Sequence, residues 1–245
     1  MRSLLAALVL LAGGTSAVPA AHPVAPEPAV GALFFPSVGG LSVALHLPHV
    51  CSASVVHSTT RDLLITAAHC VVGTGLTMEF APGFHDGIAP YGVWTVRRAY
   101  VPRSWRDHQD PAGDVAVLEV APRAGRRIED VVGAHPVGTP AAGHPVRLIG
   151  YPLGVDGRPI GCANTLHLSG GYPSMDCTGL TDGVSGGPWL QGGRVVGVIG
   201  GREQGGCGDT TYSAPIAPVI GALLARAEAG RPSDLVPIGF LANAC

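Results

Sequence analysis

The 245-residue chain contains no lysine; its 15 basic residues, all arginine, face 17 acidic ones. With a net charge of −2 and no basic stripe gathered on any segment, nucleic acid is excluded as a partner. No CxxC pair occurs, which removes cysteine-rich zinc modules. His46 and His49 have HxxH spacing, but Pro48 breaks the helix that would bring both imidazoles to one ion. No acidic loop has calcium-ligand spacing. Neither a metal nor a cofactor is therefore expected. Long apolar runs are missing too. The longest, Leu4 to Ala12, stops at Gly13 and Gly14, short of the about 20 residues that a bilayer anchor needs.

That first run has another use. Arg2, the apolar stretch and the small residues Thr15, Ser16, Ala17 and Ala20 together predict a secretory signal peptide over residues 1–20, cut after Ala17 or Ala20. The product is expected to be extracellular, soluble and monomeric, with no membrane contact once the signal is removed. Six cysteines in an exported chain favour three disulfides, for which 15 connectivities exist. Cys51 and Cys70 close a predicted hairpin, and Cys162 and Cys177 flank the turn Ser169, Gly170, Gly171, so each pair can meet across antiparallel strands. Elimination leaves Cys207 with Cys245. Each bridge of this size is worth roughly 3 kcal/mol.

Glycine (36) and proline (22) punctuate the remainder into short strands, the pattern of an all-β chain. Residues 21–29 are proline-rich and without period, a pro-segment or flexible arm. The folded domain is expected over 30–245. Strands are predicted at Leu33–Phe35, Leu41–His46, Cys51–Val56, Leu63–Thr66, Thr77–Phe80, Val93–Tyr100 and Val115–Val120. A charged connection over Pro122–Pro136 precedes a second set at Val146–Gly150, Ile160–Leu168, Met175–Thr178, Pro188–Gln191, Val195–Gly200 and Thr210–Ser213. Ile216, Val219, Ile220, Leu223, Leu224 and Ala227 then recur at helical spacing up to Gly230.

Three residues carry nucleophilic chemistry. Ser185 is framed by Gly183, Gly186 and Gly187, which let the backbone bend tightly and bring N–H groups to a substrate carbonyl. His69 ends an apolar strand beside Cys70, where a neutral imidazole can take and return a proton. Asp114 opens a strand after Gly113 and can hold one imidazole tautomer; Asp107 and Asp110 are its rivals in the preceding loop. Chain order selects the fold. "GVSGG" also satisfies the G-x-S-x-G elbow, but that architecture needs a histidine after the serine, and none follows His167. The order histidine, aspartate, serine remains.

The blocks "TAAHC", "GDVAVLEV" and "DGVSGGPWL" resemble the signatures of trypsin-like serine proteases, and "CSASVV" is similar to bacterial secreted members of the glutamyl-endopeptidase-like type. The resemblance implies two six-stranded antiparallel β-barrels, about 30–121 and 137–214, with a C-terminal helix at about 216–229, and a peptide or protein substrate. It implies a triad of His69, Asp114 and Ser185 and an oxyanion hole from the N–H groups of Gly183 and Ser185. Two departures stand out. Val184 replaces the aspartate that pairs with a new N-terminal amine in animal members. Gly179 stands where trypsin has its specificity aspartate, and no histidine lies on the pocket wall. Gly179, Leu180, Gly200, Gly201 and Thr210 are expected to leave an open pocket for apolar side chains, with Arg202 able to attract an acidic one. A catalytically silent binding module and an esterase using the same triad are the competing readings.

Overall fold

The structure, a computed structural model, describes residues 17–35, 39–76, 78–154 and 157–237. Its elements run β1 (His22–Pro23), β2 (Val30–Phe34), β3 (His49–Val56), β4 (Leu63–Thr66), β5 (Glu79–Pro82), β6 (Trp94–Tyr100), α1 (Arg103–His108), β7 (Ala116–Val120) and α2 (Glu129–Val132). The second half follows as β8 (Pro145–Gly150), β9 (Ile160–Thr165), β10 (His167–Ser169), β11 (Tyr172–Asp176), β12 (Pro188–Gln191), β13 (Arg194–Val198), β14 (Thr210–Tyr212) and α3 (Ile220–Glu228).

Strands of the first half close into a barrel in the order β2-β3-β4-β7-β6-β5. The uninterrupted apolar run of β4 has a physical cause. Leu64 points into the barrel with Leu33, Val55 and Phe80, while Leu63 and Ile65 face a second core shared with Ile149, Val198 and Leu223. Period-2 alternation thus buries both faces of the strand, each large side chain contributing about 1.5–3 kcal/mol. The second half forms a sheet β1-β9-β8-β12-β13 and a sheet β10-β11-β14. A bridge between Ile199 and Ser213 and the Cys162–Cys177 disulfide link the two, around a third core centred on Trp189. The Cys51–Cys70 disulfide spans the hairpin of β3 and β4. Cys245 lies outside the described residues, as do Met1 to Ser16.

Several elements differ from expectation. Leu41–His46 is a coil of turns: Leu45 N–H donates to Leu41 C=O and Leu47 N–H to Ser42 C=O. The N–H groups of Gly40 and Ser42 are spent on the buried Glu79 carboxylate, not on a ladder. The run Ile160–Leu168 breaks at Leu166 into β9 and β10, and α1 lies where a polar loop was read. Residues 21–24 lie on the second half, where His22 and Pro23 pair with Gly161 and Ile160 and Ala21 N–H donates to Thr178 C=O, while Ala29 is buried in the first barrel's core and its C=O accepts Val55 N–H.

Beyond α3 the tail returns to the first barrel. Ala99 N–H donates to Ser233 Oγ, Val101 N–H to Asp234, and Gly73 and Val236 exchange two backbone hydrogen bonds. The two halves are therefore tied by the shared second core, and the tail after α3 returns to the first barrel. Among the described residues no helix is long and apolar enough to cross a membrane.

Candidate active site

Strand register brings His69 and Asp114 together. Thr66 of β4 pairs with Ala116 of β7. Two residues further, the antiparallel register sets Asp114 opposite Ala68, beside His69. The chain turns there in a short 3-10 helix, Ala68–Cys70, anchored by Cys70 to Cys51 on β3. Asp114 ends a second 3-10 turn, Pro111–Gly113, whose start is capped by the Asp110 side chain accepting from Ala112 N–H. Asp110 is thus occupied as a cap, and Asp107 pairs with Arg103 and Arg106 on α1.

Asp114 Oδ2 lies 2.7 Å from His69 Nδ1 and also accepts Gly201 N–H at 2.7 Å, while Oδ1 accepts His69 N–H at 2.9 Å. The carboxylate is 1% exposed and the imidazole 12%. Burial is the largest influence on both groups and opposes charge on each. Their mutual attraction outweighs it, holding His69 above its ordinary pKa and, with the two backbone N–H donors, Asp114 below its own. A carboxylate so bound fixes Nδ1 as the protonated nitrogen, leaving Nε2 to accept a proton.

Ser185 sits in a turn between the halves. Its C=O accepts Ser52 N–H at 2.7 Å, and Gly186 N–H donates to Ile199 C=O. Gly186 has φ of +77°, and a Cβ there would fall 2.1 Å from Thr66 Oγ1 and 3.0 Å from Ala67 N. Only glycine lets the Ser185 turn seat against the end of β4, three residues before His69. Gly183 has φ of +90°, and its Cβ would meet Leu153 N at 2.2 Å. Val184 between them is buried in the third core with Trp189, so the residue directly before Ser185 carries no charge. His69, Cys51 and Cys70 cluster closely enough to suggest metal ligation, but both sulfurs are in the disulfide and offer no thiolate.

A cavity of about 300 Å³ opens beside Ser185, lined by Leu180, Val184 and Ile199 on its apolar walls and by Gln204, Gly205 and Thr210 on the facing loop. Leu180 and Thr210, singled out from sequence, reach it. Gly179, Gly200, Gly201 and Arg202 are not among its lining. Gly200 packs against Asp114 Oδ2, Gly201 donates to it, and the Arg202 guanidinium lies 5.2 Å over the Tyr212 ring with Glu203 alongside. Ser52, Gly201 as a donor, and Gln204 were not read from the sequence. Of these only Gly201, expected as a pocket residue, carries a signal in the sequence, and its part is as a donor to Asp114.

The family model described as a trypsin-like peptidase domain matches residues 51–198, more than half of the chain and a span that holds all three residues. Among solved structures, protease Anisep from Arthrobacter nicotinovorans is 25% identical, with a TM-score of 0.69 over 84% of this chain and 98% of that one. A Glu endopeptidase, at 18% identity, has a TM-score of 0.65 over 86% and 97%. Human heparin binding protein, at 16%, has 0.61 over 85% and 97%. No curated protein sequence matches the chain. By the matched domain and this architecture, the chain belongs to the trypsin-like peptidase domain family, on a chymotrypsin-like fold.

Proposed function

We propose that the chain is a secreted serine endopeptidase. Ser185 attacks the scissile carbonyl, His69 Nε2 takes its proton and returns it to the leaving amine, and Asp114 holds the imidazole and stabilises its charged form. The N–H groups of Gly183 and Ser185 receive the oxyanion, each worth about 10²- to 10³-fold in rate. The acyl-enzyme at Ser185 is then hydrolysed by water activated at His69. The observation that carries this reading is the buried Asp114 carboxylate, 2.7 Å from His69 Nδ1 and pinned by two backbone donors. A carboxylate held this way fixes one imidazole tautomer, with Nδ1 protonated, which is what a general base acting through Nε2 requires. Export, with residues 1–20 as its signal, is supported by the disulfides Cys51–Cys70 and Cys162–Cys177, which persist in oxidising compartments.

The cavity beside Ser185 supports an uncharged side chain before the scissile bond. Leu180, Val184 and Ile199 line it beside the uncharged polar side chains of Thr181, Gln204, Thr210 and Thr211, and Asp182 is the one charged residue among its lining, at an exposed position. Arg202, engaged with Tyr212 and Glu203, leaves an acidic side chain without a cation.

The test is a fluorophosphonate probe and a mixed peptide library applied to the chain without its first 20 residues, beside Ser185→Ala. Labelling of Ser185 with cleavage after uncharged residues is expected, and Ser185→Ala is expected to lose turnover by about 10⁶-fold while remaining folded. A parent protein that neither labels nor cleaves would favour a binding module. Ester turnover without peptide cleavage would favour an esterase.

A further inference from the structure

Resting on that reading, we infer that Ser52 is a positioning residue for the oxyanion hole. Its side chain is fully buried. Ser52 Oγ donates to Gly183 C=O at 3.0 Å and accepts Tyr151 N–H at 2.8 Å, so its bonding capacity is used in both directions. Its backbone N–H donates to Ser185 C=O at 2.7 Å, and its C=O accepts from Thr66 Oγ1 at 2.8 Å. One residue, fixed in place by the neighbouring Cys51–Cys70 disulfide, therefore touches both residues that supply oxyanion donors.

The geometry around Gly183 explains why this matters. In a trans peptide the C=O and N–H point in opposite directions. Asp182 C=O accepts Leu153 N–H at 2.7 Å, which turns the Gly183 N–H of the same peptide away from Leu153. The next peptide is pinned by Ser52 Oγ through Gly183 C=O. Tyr151, two residues before Leu153, returns its own N–H to Ser52 Oγ, and the circuit Ser52, Gly183, Asp182, Leu153, Tyr151 closes. Gly183, at φ of +90°, has no side chain to resist a peptide flip. Val184, buried and apolar, offers no ion pair to hold the turn, and the Ser52 hydroxyl supplies a side-chain hydrogen bond to it instead.

The hydroxyl touches no reacting atom, so its removal acts through the donors. In Ser52→Ala, measured per titrated active site on a peptide substrate, kcat is expected to fall roughly 10- to 100-fold, part of what loss of a whole donor costs, with KM changed less than threefold on the order of a lost uniform contact. The acidic limb of the pH profile should stay in place, because His69 and Asp114 are untouched. Ser52→Thr, which keeps the hydroxyl, should recover most of the rate. Parental kcat in Ser52→Ala, or a loss expressed wholly in KM, overturns the assignment. Should the alanine variant not fold, Ser52→Cys replaces a strong donor by a weak one at similar volume, and parental kcat in that variant overturns it equally. A parent that is itself inactive refutes the peptidase reading; an active parent with an indifferent Ser52 refutes only this inference.

Discussion

Acid should destabilise this protein through one buried histidine. His49, on β3, is fully buried, with both ring nitrogens lacking hydrogen-bond partners and the rings of Phe34, Phe84 and Tyr151 at 5.8, 5.5 and 6.1 Å. Burial lowers its pKa from 6.5 to about 4. The unfolded chain therefore binds a proton near pH 6.5 that the folded chain refuses until about pH 4. Stability is complete above the higher value and falls as pH drops between the two, by roughly 3 kcal/mol at the lower end. That is a large share of the 5–15 kcal/mol typical of a domain. Glu27, whose carboxyl is held at about 2 by a hydrogen bond to His135 and by Arg147, adds its own loss only below the ordinary carboxylate range. Denaturant curves at a series of pH values, in a Ser185→Ala background to prevent self-digestion, should show the slope. His49→Phe removes the titrating group and two orphaned polar atoms, so it should flatten that slope at no cost near neutrality. An unchanged slope in His49→Phe would refute the reasoning.

Two further outcomes follow from the His69–Asp114 pair. Activity needs the neutral imidazole, and Asp114 holds its pKa above the ordinary value, so kcat/KM should decline as pH falls through a midpoint above 6.5. Asp114→Asn should lower kcat by about 10⁴-fold and, by leaving burial as the unopposed influence on His69, move the acidic limb to lower pH. A rate profile across that range reads both, and a limb that stays put in Asp114→Asn would separate the carboxylate from the imidazole's titration.

The candidate site stood out in the sequence because the residues around Ser185 are constrained on both sides. Gly183 and Gly186 have to lack a Cβ, and such demands mark a sequence. Strands such as Leu63–Thr66 were legible for a similar reason, since burial on two faces leaves an uninterrupted apolar run. Leu41–His46 misled because Leu41, Val43 and Leu45 alternate as in a strand, while the backbone donors at Gly40 and Ser42 are taken by Glu79, thirty-seven residues beyond Ser42. The pocket loop was equally hidden. Glu203 and Gln204 adopt φ of 52° and 50°, a left-handed pair that neither residue type announces. Ser52 reads as one small residue in an apolar strand, and only the tertiary arrangement reveals its four partners.

The return of the last described residues to the first barrel carries a consequence for how the chain is made. Gly73, Ala99 and Val101 are translated well before their partners Ser233, Asp234 and Val236, which follow them by more than 130 residues. Asp114, too, waits for Gly201. A chain made only through its first barrel lacks both, so that barrel gains its closing ties, and the Asp114 carboxylate its second backbone donor, only after the second half has been synthesised.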